Sequence, residues 1–371
     1  MRIALVHDYL KEYGGAERVL RVLADMYPQA PIYTAFKVTN SIAAEEFSDR
    51  EILESKWAWL IKRRNLYSPL RFLLPFIWRS IDLSGFDLVI TSCSSYIARG
   101  FKVSPKTKVV AYCHTPPRFL YGYRTSVDWQ RYWIVRLYAT IVNHFLRFFD
   151  FRSAQRVNYW ITNSQNVRKR VKKFYRKGSR VIYPPVAVEE FIKGSKGIEK
   201  EDYFLIVSRL VGAKGLEEAA VVAKELNLKL KIAGGTAGYA KIKGELVKIG
   251  GKNIQFLGRV SDEELVALYA KAKGFIALAR DEDFGMTVVE AQAAGTPVIA
   301  FNGGGFRESV VDGRTGILIN DTSVKTIKKA IDRFNRIKWD RKELQKQARK
   351  FSRERLEREV RELIDNIKNN K

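Results

Sequence analysis

Short runs of apolar residues alternate along the chain with longer stretches in which apolar residues recur at helical spacing. The runs in the first half are Arg2–His7, Ile32–Phe36, Asp87–Ser92 and Lys108–Cys113. Those in the second half are Tyr203–Ser208, Leu228–Ala233, Ile254–Gly258, Gly274–Leu278 and Pro297–Ala300. Strands that alternate with helices are typical of parallel, doubly wound sheets. The pattern therefore predicts an α/β protein, in which Ser261 and Glu264 form the capping box of one helix.

The chain has 371 residues, which is more than one hydrophobic core usually serves, so two domains are expected. Near the middle, Tyr183–Val186 contains two prolines that end any regular element, and Ala187–Glu201 has the Gly, Ser and charge content of a linker. We place the two domains at residues 1–190 and 200–345. Residues 346–371 are predicted to end in a helix that packs on another part of the chain. Its apolar face consists of Leu356, Val360, Leu363 and Ile364.

The positive charge of the chain is concentrated in one region. The formal net charge is +26, and the segment from Lys56 to Arg180 holds twenty-five Lys and Arg residues but four acidic ones. A one-signed field of this kind indicates an anionic partner, either nucleic acid or an anionic membrane surface. A heat-adapted surface would carry matching Glu residues, which this segment lacks. No zinc-ligand spacing, RNA-binding sheet signature or basic zipper is present, so nucleic acid is the weaker alternative.

Two stretches within this region combine aromatic and basic residues. Lys56–Ser80 contains Pro69 and Pro75, and Trp129–Arg152 repeats apolar residues at helical spacing. The repeated residues are Trp133, Leu137, Ile141, Phe145 and Phe148. Neither stretch has the roughly 20 uncharged residues of a membrane span, and both suit a surface that lies on a bilayer. The residues predicted at that surface are Trp57, Trp59, Lys62, Arg63, Arg64, Arg71, Trp78 and Arg79. Core helices with a solvated basic face remain the alternative.

The candidate chemistry lies at the ends of predicted strands. Arg209 and Lys214 follow one strand of the second half, and Gly234-Gly235 follows the next. Glu282 and Glu290 stand eight positions apart around a helix start near Phe284–Gly285. Two cations beside a helix start can hold a diphosphate, and the two carboxylates can bind hydroxyl groups. The combination predicts a nucleotide-sugar ligand.

Two positions in the first half are also candidates by their place. Gly14-Gly15 precedes a helix, where backbone amides can approach an anion, although such a pair is often only a turn. His114 follows a predicted strand, and ligands of doubly wound sheets bind beyond the carboxyl ends of strands.

Several motifs resemble the retaining GT-B glycosyltransferases of family 4. In the second half these are SRLVGAKG (208–215), FLGRVSDEEL (256–265), the Glu-x7-Glu pair and GGFRESVVDGRTGIL (304–318). The first half is similar to O-antigen mannosyltransferases of the WbaZ type. The matching segments are HDYL, GGAERVL, APIYTAF, FDLVITS, AYCHTPPRFLY and VIYPPV.

The resemblance implies two Rossmann-like domains that face a cleft, with the C-terminal helix packed back on the N-terminal domain. It also implies roles for the candidate residues. His114, Arg209, Lys214 and Glu282 are implied as catalytic, with His114 near the reacting carbon and the two cations on the leaving diphosphate. Glu282 would bind sugar hydroxyls and Glu290 the ribose. The remaining implied donor contacts are Gly14, Gly15, Gly234, Arg259 and the amides of Phe284, Gly285 and Met286.

The implied activity is transfer of a hexose with retention of configuration to a lipid-linked or saccharide acceptor in surface polysaccharide assembly. The expected donor is GDP-mannose, from which mannose is transferred. No metal or other cofactor is expected. A transferase with a soluble acceptor, a sugar-nucleotide epimerase and a nucleic-acid-binding protein are the alternatives. The N-terminus lacks the long apolar core of a signal peptide, and the two cysteines, Cys93 and Cys113, suit a reducing compartment, although they could also pair. We therefore expect a cytoplasmic protein, peripheral on the inner face of the cell membrane.

Overall fold

The computed structural model describes residues 1–62, 66–123, 132–210, 214–235 and 240–369. The chain forms two units, one comprising Met1–Pro185 together with Leu356–Lys371, and the other Val186–Arg355. Each unit contains one parallel sheet with its own core, and each is described by itself below.

The sheet of the first unit has the strand order β3-β2-β1-β4-β5-β6-β7 in the described residues. Its strands are β1 Ile3–His7, β2 Ile32–Thr34, β3 Ile52–Glu54, β4 Leu88–Cys93, β5 Lys108–Cys113, β6 Tyr159–Thr162 and β7 Arg180–Val181. The helices are α1 Gly15–Met26, α2 Ile42–Glu46, α3 Ala58–Lys62, α4 Leu74–Arg79, α5 Trp133–Gln155 and α6 Gln165–Tyr175. The central strands are apolar almost throughout because helices cover both faces of a parallel sheet. Cys93 and Cys113 are register partners on β4 and β5, and both are buried free thiols.

The sheet of the second unit has the order β10-β9-β8-β11-β12-β13 in the described residues. Its strands are β8 Glu201–Val207, β9 Leu230–Ala233, β10 Ile254–Gly258, β11 Ala272–Ala277, β12 Val298–Phe301 and β13 Gly316–Ile319. The helices are α7 Val188–Gly194, α8 Leu216–Glu225, α9 Ala240–Gly250, α10 Asp262–Lys271, α11 Met286–Ala293, α12 Phe306–Ser309, α13 Val324–Arg336 and α14 Arg341–Arg349. The predicted capping box of α10 is confirmed, since the Ser261 hydroxyl accepts from the Glu264 amide and the Glu264 carboxylate accepts from the Ser261 amide.

The last helix, α15 Arg353–Asn369, packs back on the first unit, as expected. Its apolar face shares a core cluster with Leu5 of β1 and Leu20 of α1. The buried residues of that face are Leu356, Val360, Ile364 and Ile367. Removing each such side chain from water stabilises the fold by roughly 1.5–3 kcal/mol.

The structure corrects the prediction of a linker at Ala187–Glu201. This segment contains α7, whose Phe191 is buried against the ring of Tyr269 at a centroid distance of 5.7 Å. The composition was misleading because Gly194 is not a flexible position. A Cβ added there would lie 2.7 Å from the side chain of Val266, so the glycine permits close packing of α7 on α10. The units divide between Pro185 and Val186, and α14 belongs to the second unit.

Candidate active site

The sheet of the second unit has a topological switch point between β8 and β11. The chain moves outward from β8 to β9 and β10 on one side, and from β11 to β12 and β13 on the other. The loops that follow β8 and β11 therefore diverge, and open α/β sheets bind their ligands in the resulting crevice. Arg209 and Lys214 follow β8, and Glu282 follows β11. Residues that are far apart in the sequence thus meet at one sheet edge.

Lys214 and Glu282 form an ion pair at this edge, with 2.6 Å between Nζ and Oε2. Each side chain is about a quarter exposed, at 26% for Lys214 and 23% for Glu282, so both charges stay accessible to a ligand. The approach of the two loops depends on Gly215. Its φ is +69°, and a Cβ there would lie 2.5 Å from Cβ of Leu278. Arg209, which precedes Lys214 by five residues, is exposed to solvent.

Helix α11 begins beside Glu282 and is held by glycine contacts. Its N-cap, Gly285, has φ +87°, and an added Cβ would lie 2.4 Å from the ring of Phe306. On the other side the turn at Gly304-Gly305 packs on the loop, and the Gly305 amide donates to the Glu282 carbonyl at 3.0 Å. The first amides of α11 therefore have a fixed direction, which favours a bound anion.

Glu290 lies one turn into α11 and is only 2% exposed. One of its carboxylate oxygens accepts a hydrogen bond of 2.8 Å from the hydroxyl of Tyr269. The eight-residue spacing predicts that Glu290 faces a ligand directly. The structure adds an intramolecular partner, the hydroxyl of Tyr269, which fixes the orientation of the Glu290 carboxylate. Tyr269 was not identified from the sequence, because an aromatic residue in α10 is indistinguishable from an ordinary core residue.

Gly234 and Arg259 are the two other residues of this unit that were predicted to contact the donor. Gly234 has φ +136°, and a Cβ there would lie 2.0 Å from the carbonyl oxygen of Ser208. Its amide donates to the carbonyl of Gly258 at 2.7 Å, so this glycine joins the ends of β8, β9 and β10. Arg259 is exposed after β10, the edge strand of the sheet. The close backbone contacts at Gly234 account for a glycine at this position without a ligand.

In the first unit, the predicted glycine pair and His114 both lie at the carboxyl ends of strands. Gly14 is the N-cap of α1, and its amide donates to the carboxylate of Glu17 at 2.9 Å. That amide is therefore already bonded within the chain. Gly15 is the first residue of α1.

His114 follows β5 and is 8% exposed. A chain of hydrogen bonds leads inward from it: His114 Nε2 to Ser92 Oγ at 2.8 Å, Ser92 Oγ to His7 Nδ1 at 3.1 Å, and His7 Nε2 to Glu17 Oε1 at 3.3 Å. Burial, with a smaller effect of nearby His7, lowers the pKa of His114 from 6.5 to about 3. The imidazole is therefore neutral at physiological pH and can accept or donate a hydrogen bond without a net charge.

His7, Ser92 and Glu17 join the candidate site through these hydrogen bonds, and they were not predicted from the sequence. Their signal was present, because His7 ends β1, Ser92 lies near the end of β4 and Glu17 follows the glycine pair. Neighbouring Asp8 shapes the same edge, since its carboxylate accepts from the amides of Ser94, Tyr96 and Ala98 at 3.0, 2.9 and 3.0 Å.

Two family models match consecutive parts of the chain. Residues 13–190 match the model described as "Glycosyltransferase Family 4". Residues 188–351 match "Glycosyl transferases group 1". The chain belongs to the family 4 glycosyltransferases. The first matched region contains Gly14, Gly15 and His114, and the second contains Arg209, Lys214, Glu282 and Glu290.

Characterised relatives of this glycosyltransferase include mannosyltransferases. It is 28% identical to the alpha-1,3/1,6-mannosyltransferase ALG2 of Dictyostelium discoideum, over 68% of this chain and 67% of that protein. It is 30% identical to the O-antigen chain mannosyltransferase RfbU of Salmonella typhimurium, over 52% of this chain and 58% of that protein. A match of 31% identity to an uncharacterized glycosyltransferase of Methanocaldococcus jannaschii spans 41% of this chain and 43% of the relative.

A solved structure with the same fold is that of Anabaena HepE in complex with UDP and glucose. The TM-score is 0.65 at 16% identity, and the alignment covers 98% of this chain and 99% of that one. The likeness confirms the predicted GT-B fold, with one Rossmann-like domain in each unit.

The first predicted membrane stretch is in large part core. Trp78 is fully buried, and its indole N–H donates to the carbonyl of Tyr96 at 2.8 Å, so its assignment to the surface is wrong. Trp57 is half-buried and packs on the same core. Arg71 lies over the ring of Phe119 at 4.2 Å, and burial lowers its pKa. The alternation of apolar and basic residues here comes from short helices with one buried side.

The remaining residues of that prediction differ among themselves. Trp59 is 68% exposed and Arg79 is exposed, whereas Lys62 is paired with Glu54 at 2.9 Å. Arg63 and Arg64 lie outside the described residues.

The second predicted membrane stretch contains an exposed apolar row on α5. Its members are Trp133, Leu137, Ile141, Phe145 and Phe148, with exposed fractions of 66, 56, 53, 69 and 61%. The opposite side of the helix is buried at Ala139, Leu146 and Ala154. The alternative of a core helix whose solvated face is basic does not hold for this stretch, because the exposed residues include this apolar row beside Arg136, Arg147 and Arg152. Among the described residues, no helix combines the length and hydrophobicity needed to cross a bilayer.

Proposed function

We propose that this glycosyltransferase moves a hexose, mannose from GDP-mannose, to a lipid-linked saccharide with retention of configuration. The observation that carries the donor part is the Lys214–Glu282 pair at the switch point of the second sheet, beside the fixed start of α11. The mannosyltransferase relatives support the choice of sugar.

In this proposal, the positive groups of the site stabilise the departing nucleoside diphosphate. Arg209 would form a planar fork to the phosphates, and Lys214 would place a point charge on them. The amides of Phe284, Gly285 and Met286 would add hydrogen-bond donors at the helix start. Negative charge grows on the diphosphate as the sugar–phosphate bond breaks, so these groups act by electrostatic stabilisation and no metal is required for that purpose.

The carboxylates bind hydroxyl groups of the donor in this arrangement. Glu282 already contacts Lys214, so a sugar bound to its carboxylate would lie next to the phosphate-binding cation. Glu290, oriented by Tyr269, would accept from the ribose hydroxyls, and Arg259 would contact the base. Both acids belong to the donor side, so neither is placed as a covalent nucleophile on the opposite face of the sugar. We infer attack on the face that the diphosphate leaves, with the acceptor proton passing to the departing phosphate oxygen.

His114, Gly14 and Gly15 belong to the acceptor-side unit in this proposal. A neutral His114 would contact the transferred sugar by hydrogen bonding near the reacting carbon. The amide of Gly15 would be the anion donor at the start of α1, because that of Gly14 already donates to Glu17.

A thermal-shift screen tests the donor. The protein is melted with GDP-mannose, UDP-glucose, UDP-GlcNAc and ADP-glucose, each at saturating concentration. A ligand at 100 times its Kd stabilises the folded state by about 2.7 kcal/mol, a rise in Tm of roughly 5–10 °C for domains of this size. GDP-mannose is expected to give the largest rise. A larger rise with another nucleotide would overturn the assignment of the sugar donor, and no rise with any of them would overturn the transferase site.

The exposed row on α5 supports a peripheral position on an anionic membrane, where a lipid-linked acceptor is available. Contiguous apolar surface of this kind marks interaction sites, and here basic residues surround it. The variant Leu137→Gln/Ile141→Gln tests this part in a vesicle flotation assay. We expect it to lose at least tenfold in partitioning onto both neutral and anionic vesicles, since each side chain contributes roughly 1.5–3 kcal/mol when it leaves water. Parent-like flotation would refute the membrane placement.

A further inference from the structure

A cavity lies between α4 and the C-terminal half of α5 in the first unit. Its volume is about 180 Å³, the space of roughly six water molecules in the liquid. Three aromatic and three basic residues contribute to its lining. They are Phe145, Phe148, Phe149, Arg79, Arg152 and Arg156. The donor residues described above belong to the other unit, so the cavity has a different set of lining residues.

The three arginines carry charge that the protein does not neutralise. Within the described part of the chain, none of them has a carboxylate at ion-pair distance, and all three side chains are exposed to solvent. The one acidic residue of α5, Asp150, is fully buried on the opposite side, where it pairs with Arg99. Arg152 lies over the ring of Phe148 at 4.6 Å, which holds its guanidinium at the cavity. The cavity therefore favours an anion.

The apolar row of α5 leads directly to this anion site. Leu137, Ile141, Phe145, Phe148 and Arg152 are spaced by three or four residues, so they share one face of the helix. At a rise of 1.5 Å per residue, the row from Leu137 to Arg152 extends about 22 Å. A positive cavity thus stands at one end of an exposed apolar track. A ligand that matches both parts has an anionic head and a long apolar tail.

We propose that the cavity binds the phosphate group of a membrane lipid, whose hydrocarbon chain lies along the exposed row of α5. Guanidinium groups match phosphate oxygens by paired hydrogen bonds. A site for single-stranded RNA needs positive charge along the backbone as well as aromatic faces, whereas the row from Trp133 to Phe148 has no charged member, so the row favours lipid over RNA. The inference rests on the membrane placement proposed above, and it is independent of the donor.

The test compares two variants with equal loss of charge in the same unit. The site variant is Arg79→Gln/Arg152→Gln/Arg156→Gln. The control is Arg168→Gln/Lys169→Gln/Lys172→Gln on α6, where the three replaced side chains are also exposed. Flotation is measured with vesicles of phosphatidylcholine alone and of phosphatidylcholine containing phosphatidic acid.

We expect the site variant to lose on the order of 100-fold in partitioning onto the phosphatidic acid vesicles, since each basic residue at an anionic bilayer contributes about fivefold. The control should stay within about threefold of the parent. Equal losses in the two variants would show a diffuse attraction and overturn the site, as would parent-like flotation of the site variant. The Leu137→Gln/Ile141→Gln variant separates the two proposals, because it reports membrane placement on neutral vesicles, where the arginines contribute little.

Two further arms identify the source of the phosphate. In the first, inorganic phosphate is added, and chloride at the same ionic strength is the control. Inorganic phosphate should not displace the parent from phosphatidic acid vesicles, because it has no hydrocarbon chain to contact the apolar row. Displacement by inorganic phosphate would assign the cavity to a free anion and overturn the lipid proposal. The parent and the site variant are also tested with single-stranded RNA. If the parent binds RNA and the site variant does not, while the flotation of the two is equal, the lipid proposal is overturned in favour of nucleic acid. In every arm, an unchanged rise in Tm with the nucleotide sugar shows that both variants are folded.

Discussion

Replacing Lys214 by Met tests whether the cation at the switch point acts on the donor phosphates. Methionine keeps a similar length and removes the charge. The structure predicts a small effect on folding, because the pair with Glu282 is about a quarter exposed on each side and such pairs contribute roughly 1 kcal/mol or less. A loss of that size lowers Tm by about 2–4 °C. The effect on turnover is expected to be much larger, about 100-fold or about 2.7 kcal/mol of transition-state stabilisation.

The assay is release of the nucleoside diphosphate under saturating donor, with urea unfolding measured on the same samples. Lys271→Met is the matched control, since Lys271 forms a pair of 3.2 Å with Glu201 in the same unit, away from the loops that follow β8 and β11. The control should keep turnover within about twofold of the parent while losing similar stability. Turnover of the Lys214→Met protein within about fivefold of the parent would refute the role of this cation in the chemistry.

Three further predictions concern stability and donor affinity. The pKa of His114 is about 3 in the folded protein and 6.5 when unfolded, so stability is full above pH 6.5 and falls as the pH decreases from 6.5 towards 3. Between about pH 7 and about pH 5, the unfolding free energy of the parent should fall by about 2 kcal/mol more than that of His114→Gln. Gly234→Ala should cost roughly 3 kcal/mol or more in urea unfolding, because its Cβ meets a carbonyl oxygen at 2.0 Å, whereas Gly235→Ala, with open space around it, should cost less than about 1 kcal/mol. Tyr269→Phe should cost about 1–3 kcal/mol and weaken nucleotide-sugar binding in calorimetry, because buried Glu290 loses a donor.

Each of these has an outcome that contradicts it. An unchanged acid sensitivity in His114→Gln would show that other groups cause it. Equal stability of the two glycine variants would contradict the packing of the strand ends. Unchanged affinity of Tyr269→Phe for the nucleotide sugar would show that donor binding does not depend on the hydrogen bond from Tyr269 to Glu290.

The sequence predicted the strands and the donor loops because both depend on local patterns. Apolar runs such as Lys108–Cys113 form strands as expected, and the Ser261 capping box begins α10 as expected. The pair of Lys214 and Glu282 was predicted as two contacts of one ligand, and the structure brings the two side chains together. Short edge strands such as Ile52–Glu54 were missed, because three residues carry too little periodicity to be recognised.

The surface stretches show where local pattern is insufficient. Trp78 and Phe145 occur in similar surroundings of apolar and basic residues, yet one is fully buried and the other 69% exposed. Burial depends on which face of a helix finds a partner, and that partner comes from distant parts of the chain. Similarly, the composition of Ala187–Glu201 resembled a linker, while Val266 and Tyr269 made it a packed helix.

By itself, the sequence determined the alternation of strands and helices, the apolar face of the last helix and the strand-end positions of the candidate donor residues, since periodicity, caps and strand-end positions are local properties of the chain. Only the tertiary structure decided the partners of those residues. Tyr269 on Glu290, the Glu17–His7–Ser92–His114 chain and the exposed row beside the arginine cavity all join side chains from separate elements. Such contacts arise from the packing of one element on another, which no single stretch of sequence specifies.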